Sequence, residues 1–174
     1  MQTKRLFLRE RTLEVRQHLL SLPLEEQLTF IGVDETRLKL ELSRIEKGFT
    51  NFKMDYKMWD LVYLETNQVI GDCGFHSWYK DHYRAEIGYG LKEEFRKQGL
   101  MYEALHRILQ YGFKEMNLNR VEAFISPENI ASRSLIKKCS FVYEGRLRQH
   151  YCKRTDGKID DSEVYGLLKG EFQF

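Results

Sequence analysis

Six consecutive residues, Arg96-Lys97-Gln98-Gly99-Leu100-Met101, carry the most chemistry per position in this sequence. They follow the β-rich run Tyr83 to Leu91 and precede a stretch whose apolar positions recur at helical spacing, so a strand passes here through a short loop into a helix. The first backbone N–H groups of a helix lack partners within it, and the helix dipole favours an anion there. A diphosphate fits such a place. Gly99 lets a phosphate approach the backbone without a Cβ in the way, and Arg96 and Lys97 can add charge-assisted contacts. The same residues also read as a helix-initiating glycine with two solvated cations, and the loop by itself leaves both readings open.

Other chemistries find less support. Cys73, Cys139 and Cys152 are odd in number and far apart, with neither a CxxC pair nor a histidine at metal-ligand spacing, which argues against metal and disulfide roles. A net charge of +2 with 31% charged residues describes a balanced surface rather than the strongly basic one of a dedicated nucleic-acid binder. The start of the sequence lacks the apolar run of a signal peptide, and no stretch of about 18 apolar residues offers a membrane span. A soluble, cytoplasmic protein without a membrane partner is expected.

The elements that must hold the loop follow from periodicity. Arg5 to Glu10 alternates Leu6 and Leu8 with Arg5, Phe7 and Arg9, as a half-buried strand does. Thr12 can cap a helix bearing Val15, Leu19 and Leu22 on one face, which Pro23 breaks. Leu38, Leu42 and Ile45 recur helically from Glu35 to Lys47, with Gly48 suited to the helix end. Residues 59–66, 68–76 and 83–91 read as three strands of a meander, the first joint a tight hairpin at Thr66-Asn67 and the second the polar stretch Lys80 to His82.

From Gly99 to Met116 the period changes: Met101, Ala104, Leu105, Ile108, Leu109, Phe113 and Met116 form one stripe of a helix that Asn117 can end in a left-handed conformation. Residues 120–126 read as a buried strand, Asn129 to Lys138 as a short helix carrying Ala131, Leu135 and Ile136, and residues 141–152 and 161–168 as two strands joined around Asp156-Gly157. The fold class is therefore α/β (α+β): a mixed, mostly antiparallel sheet with one strand-helix-strand crossover. With only two prolines and no Ser/Gly-rich or repetitive stretch, residues 1–174 are expected to form a single domain.

The loop Arg96-Lys97-Gln98-Gly99-Leu100-Met101 resembles the RxxGxG/A acetyl-CoA motif of the GNAT superfamily of N-acyltransferases. Downstream, residues 119–148 are similar to that superfamily's second signature, in which a strand leads to an NxxS turn, a short helix and a Phe-x-x-Glu-Gly strand. Within the superfamily the ribosomal-protein N-terminal-alanine acetyltransferase branch is the nearest likeness, through residues 5–9, residues 85–91, and a DG turn followed by residues 163–168. The sequence departs from the pattern at Met101, where a small residue is usual, and at Ser140, where glycine is common. Met101 can crowd the cradle or turn into the core.

The resemblance implies a central sheet splayed to hold acetyl-CoA, with the diphosphate on Arg96, Lys97, Gln98, Gly99, Leu100 and Met101. The pantetheine arm would pair with the backbone of Tyr89 to Leu91 like an added strand, and with Asn129, which also reads as a helix N-cap. It further implies acetyl transfer to an amine, a protein N-terminal amine in the nearest branch, and leaves a homodimer conceivable. Such a reaction needs a base for the amine and an acid for the departing thiolate. Glu86, on the strand that leads to the loop, is the first choice for the base, although a strand glutamate is also an ordinary salt-bridge partner. Relatives place a tyrosine acid where this sequence has Ile136, so Ser132 of the NxxS turn remains as a hydrogen-bond donor to the CoA sulfur.

Adjacent strand positions point to opposite faces, which leaves His150 and Tyr151 outside the catalytic set. Arg133, Lys137 and Lys138 are placed near the adenosine end or in solvent. Phe52, Tyr56, Trp59, Trp78 and Tyr79 can wall an acceptor pocket or fill the core. A small cationic acceptor, such as a polyamine or amino sugar, would call for acidic pocket residues, of which Asp55, Asp60 and Asp72 are the candidates. A non-catalytic acyl-CoA sensor is the alternative of a different class.

Overall fold

The computed structural model describes residues 1–46, 55–152 and 157–174. Gly48, Phe52 and Asp156, and the side chains of Ile45 and Asp55, lie outside the described residues. Backbone contacts divide the chain into two compact units, Met1–Ser77 with Gly88–Ile108, and Trp78–Ile87 with Leu109–Phe174.

In the first unit, strand β1 (Leu6–Glu10) pairs antiparallel with β2 (Asp55–Tyr63), in register from Leu6↔Tyr63 to Glu10↔Trp59. The expected alternation holds: Leu6 and Leu8 are fully buried, while Phe7 between them is 42% exposed. β2 turns into β3 (Gln68–Tyr79) at Asn67, whose φ of 55° and N–H bond to the Tyr63 carbonyl at 2.8 Å make the tight hairpin. Helix α1 (Leu13–Ser21) starts on Thr12, whose side chain accepts the Val15 N–H. Pro23 does not simply end it. It precedes a further helix, α2 (Leu24–Ile31), absent from the sequence reading, because proline lacks only an N–H that a helix start leaves unpaired.

α2 closes on Gly32 at φ 64°, where a Cβ would lie 2.7 Å from the Val69 carbonyl oxygen, so this position needs glycine twice over. α3 (Glu35–Glu46) completes the helical cluster, in which Leu19, Ile31 and Leu38 are buried against Leu28, Phe30, Val33 and Leu42.

Strand β4 (Arg84–Leu91) and helix α4 (Leu100–Lys114) belong to both units. α4 carries the expected stripe, with Ala104, Leu105, Ile108, Leu109 and Phe113 fully buried, and Asn117 adopts φ 52° beyond its end. The second unit adds β5 (Arg120–Ile125), α5 (Ile130–Lys138), β6 (Val142–Cys152) and β7 (Ile159–Leu168). β4 and β5 run parallel from Arg84↔Arg120 to Glu86↔Glu122, where their register ends although both strands continue. β5–β7 and β6–β7 are antiparallel. Among the described residues the result is a mixed, mostly antiparallel sheet of seven strands in the order β1-β2-β3-β4-β5-β7-β6, flanked by helices. Its last strand, β6, is exposed along nearly its whole length and slips register against β7 between Tyr143 and Gly145 and again between Leu147 and Tyr151.

The family departure at Ser140 has a backbone explanation. α5 ends in a Schellman arrangement: the Ser140 N–H bonds the Lys137 carbonyl at 3.0 Å, the Phe141 N–H bonds Ile136 at 3.2 Å, and Ser140 sits at φ 67°. An L-residue there is strained where glycine is not. Ser140→Gly should raise the unfolding free energy by about 0.5–1 kcal/mol, read as a higher urea midpoint at unchanged slope. No rise would mean that the serine side chain offsets the strain.

Candidate functional site

The first unit holds the loop and the start of α4. Beyond Leu91 the chain makes a 3-10 turn at Glu93–Phe95, and Arg96 folds back so that its Nε donates to the Leu91 carbonyl at 3.1 Å. Gln98 is fixed from both sides, its side chain donating to the Glu94 carbonyl at 2.9 Å and its own carbonyl accepting from Arg5 Nη1 at 3.0 Å. Lys97 at φ 60° and Gly99 at φ 78° bend the backbone into the helix. A Cβ on Gly99 would lie 3.5 Å from Arg5 Nη2, an ordinary contact, so φ rather than crowding by neighbours demands glycine.

Leu100 is 1% exposed and Met101 9%, so both side chains sit in the core. This settles the position of Met101: it leaves the loop clear, and only its backbone N–H remains for a ligand. The Glu103 N–H already bonds the Gly99 carbonyl, while the amides of Leu100 and Met101 precede the first intrahelical bond. Lys97 and Arg96 are exposed beside them. Bare backbone donors, a bent glycine and two cations suit a diphosphate.

Glu103 clamps this loop to the start of the chain. It accepts from Thr3 Oγ1 at 2.5 Å, the Arg5 N–H at 2.7 Å and Arg5 Nε at 2.9 Å. Partial burial pushes its carboxyl up, but these three donors outweigh burial and hold its pKa below the ordinary value. A depressed folded pKa contributes stability above the unfolded pKa, about 4.3 for glutamate, and that stability is lost as pH falls through the folded value. Glu103→Gln should therefore lower stability at neutral pH by about 1–2 kcal/mol and flatten the stability loss on acidification below about pH 4.5. Urea titrations at pH 7 and pH 3.5 check both effects, and equal losses for the two proteins would remove Glu103 as the clamp.

From β1 and the residue after it to β2 and β3 runs an ion-pair chain that sequence spacing did not disclose. Asp60, 1% exposed, accepts from Arg9 at 2.9 Å and from Arg11 Nε at 2.6 Å, and Arg11 Nη2 continues to Asp72 Oδ2 at 2.9 Å. Burial works against the Arg11 charge, but Asp60 and Asp72 more than offset it and raise its pKa. Only knowledge of the β1–β2 register, which sets Arg9 beside Asp60, brings these residues together.

The second unit holds the other expected residues. Glu86 is half-buried, between the buried Ala85 and Ile87, and stands beside Glu122 in register. Glu122 accepts from Arg84 at 2.7 Å and Arg120 at 2.9 Å, and Arg120 also pairs with Glu144. Asn129 is the N-cap of α5, its side-chain oxygen accepting the Ser132 N–H at 3.0 Å. The capping role is thus realised, and among the described residues the Asn129 amide nitrogen and Ser132 Oγ make no hydrogen bond. Ile136 is fully buried, so this position is core.

Arg133 is bound to Glu163 at 2.9 Å and to the Pro127 carbonyl at 3.2 Å, rather than standing free in solvent. A cluster missed in the sequence closes the end of β5: Asp160 accepts from Ser126 Oγ at 3.0 Å and from the Tyr151 hydroxyl at 3.3 Å. His150 lies 2.9 Å from Ser162 Oγ and against Phe124. Cys73 and Cys139 are buried, and burial pushes the Cys139 thiol up to about 12, which removes it as a nucleophile. Among the described residues no group of side chains could hold a metal ion, and no helix is long and apolar enough to cross a membrane.

The family model described as an acetyltransferase (GNAT) domain matches residues 5–142. A Bacillus licheniformis protein named uncharacterized N-acetyltransferase p20 is 39% identical over 112 residues, 64% of this chain and 62% of that protein. The Escherichia coli [ribosomal protein uS5]-alanine N-acetyltransferase is 25% identical over 59% of this chain and 53% of its own length. These matches thus span about six tenths or less of the relatives' length. A solved acetyltransferase (GNAT family) from Bacillus anthracis superposes with a TM-score of 0.69 at 22% identity, covering 98% of this chain and 99% of that one, a likeness of fold.

Proposed function

The chain belongs to the acetyltransferase (GNAT) family, and from that premise we propose that it transfers the acetyl group of acetyl-CoA to a primary amine, the N-terminal amine of a protein. The observation that carries the reading is the start of α4, where bare amides and a glycine at φ 78° follow the Arg96-Lys97-Gln98 segment. The choice of a protein N-terminus is supported by the name of the Escherichia coli relative. We take residues 1–174 as one domain working in the cytoplasm, where acetyl-CoA is made.

Acetyl-CoA supplies an activated thioester carbonyl. In this reading the backbone amides of Gln98, Gly99, Leu100 and Met101 hold the diphosphate, and Arg96 and Lys97 add charge. The backbone of Tyr89 and Leu91 pairs with the pantetheine amides, and the Asn129 amide nitrogen, unused in capping, donates to that arm. The acceptor, which arrives as an ammonium ion, gives one proton to water before it attacks the thioester carbonyl, Glu86 takes the second as the C–N bond forms, and Ser132 Oγ hydrogen-bonds the sulfur as CoA leaves as the thiolate. A thiolate leaves readily near neutral pH, so a hydroxyl donor suffices where relatives use a tyrosine.

Calorimetry with acetyl-CoA, followed by free-thiol release against N-terminal peptides, polyamines and amino sugars, tests the proposal. Binding with thiol release on peptides is expected. Release on polyamines or sugars alone would replace the acceptor class, binding without release on any amine would indicate an acyl-CoA sensor, and absence of binding would overturn the reading.

A further inference from the structure

Two glycines on one face of β4, Gly88 and Gly90, leave its backbone bare, and two side chains of β3 occupy the space above them. A Cβ on Gly90 would lie 3.3 Å from Asp72 Oδ1, and one on Gly88 would lie 2.9 Å from His76 Cδ2. The Asp72 side chain is 31% exposed. Its Oδ2 is spent on Arg11, whereas Oδ1 takes no hydrogen bond from the described residues.

The carboxylate does not hang loosely. Arg11 holds it, Asp60 holds Arg11, and Arg9 holds Asp60, so two guanidinium groups and two carboxylates balance each other and leave one anionic oxygen pointing over β4. An oxygen fixed before binding attracts a cation without paying to order its side chain. A side chain at position 90 would close the space beside this oxygen.

We propose that Asp72 is the specificity-determining residue for the acceptor, receiving the α-ammonium group of a peptide N-terminus at Oδ1 over Gly90. This rests on the transferase reading, in which Tyr89 to Leu91 of the same strand line the cofactor. A single free carboxylate oxygen suits a single ammonium group. Asp60 and Glu41, the other carboxylates that act on Arg11, are already bound to arginines, so among the described residues this chain of ion pairs offers a polyamine no second open oxygen.

The test is binding of two probes to the protein saturated with CoA: alanyl-tyrosine amide and propionyl-tyrosine amide, which has the same shape without the ammonium group. The wild type should prefer the cationic probe by about tenfold, Asp72→Asn should bind both alike, and Asp72→Glu should regain part of the preference. CoA affinity should be the same in all three proteins. An equal affinity of the wild type for the two probes, failure to bind either, or an undiminished preference in Asp72→Asn would each overturn the proposal. If Asp72→Asn fails to fold, the wild-type preference and Asp72→Glu still decide. Loss of CoA binding by the wild type would instead strike the transferase reading itself.

Discussion

Gly99→Val should weaken acetyl-CoA binding by roughly 10–100-fold, equivalent to about 1.4–2.8 kcal/mol. Two effects add. Position 99 requires φ 78°, which costs an L-residue about 1–2 kcal/mol and a β-branched one more, so the backbone that aims the α4 amides will relax away from it. The valine methyl groups also reach toward Arg5, whose guanidinium fixes the Gln98 carbonyl and is held in turn by Glu103. Gly99→Ala separates the two, because its Cβ meets only an ordinary contact at 3.5 Å and bears the conformational cost alone. Calorimetry on both variants should give a graded loss. Wild-type affinity in Gly99→Val would place the diphosphate elsewhere.

Glu86→Gln should leave acetyl-CoA affinity within about twofold and lower kcat by roughly 10²–10⁴, the range that general-base catalysis supplies. Glutamine keeps the shape of the side chain and loses its proton acceptor. The neighbouring Glu122 keeps both of its arginines, Arg84 and Arg120, so the strand pair should survive the change. A kcat reduced less than about threefold would assign proton removal to water or another group. A parallel loss of cofactor affinity would make Glu86 a binding residue instead.

The elements were legible in the sequence wherever one face of a strand or helix is buried. Leu6 and Leu8 announced β1, and the stripe from Met101 to Phe113 announced α4, because alternation and the 3.6-residue period are imposed by burial itself. α2 was missed because Pro23 was read only as an ending, although a proline before a first turn sacrifices no hydrogen bond. The bend between Arg96 and Met101 was readable because its glycine, its cations and the first residues of α4 are consecutive in sequence. The Arg11–Asp60–Asp72 chain and the Ser126–Asp160–Tyr151 cluster were not, since each joins residues far apart in sequence through strand register. Asn129 shows a third case: its capping bond was foreseeable from sequence, whereas a spare amide nitrogen is visible only once its oxygen is engaged.

The register slips of β6 bear on how the protein behaves in concentrated solution. An outermost strand exposed along most of its eleven residues, with Val142, Tyr143 and Leu147 uncovered, would normally be a template on which other chains add as strands. Gly145 at φ 158° is extended, but Gln149 at φ 51° is left-handed, and the two slips break the ladder into short pieces with different twist. No long, flat row of amides and carbonyls is then offered to a stray strand. The irregular edge acts as a guard against aggregation, and straightening it would gain ladder hydrogen bonds at the expense of solubility.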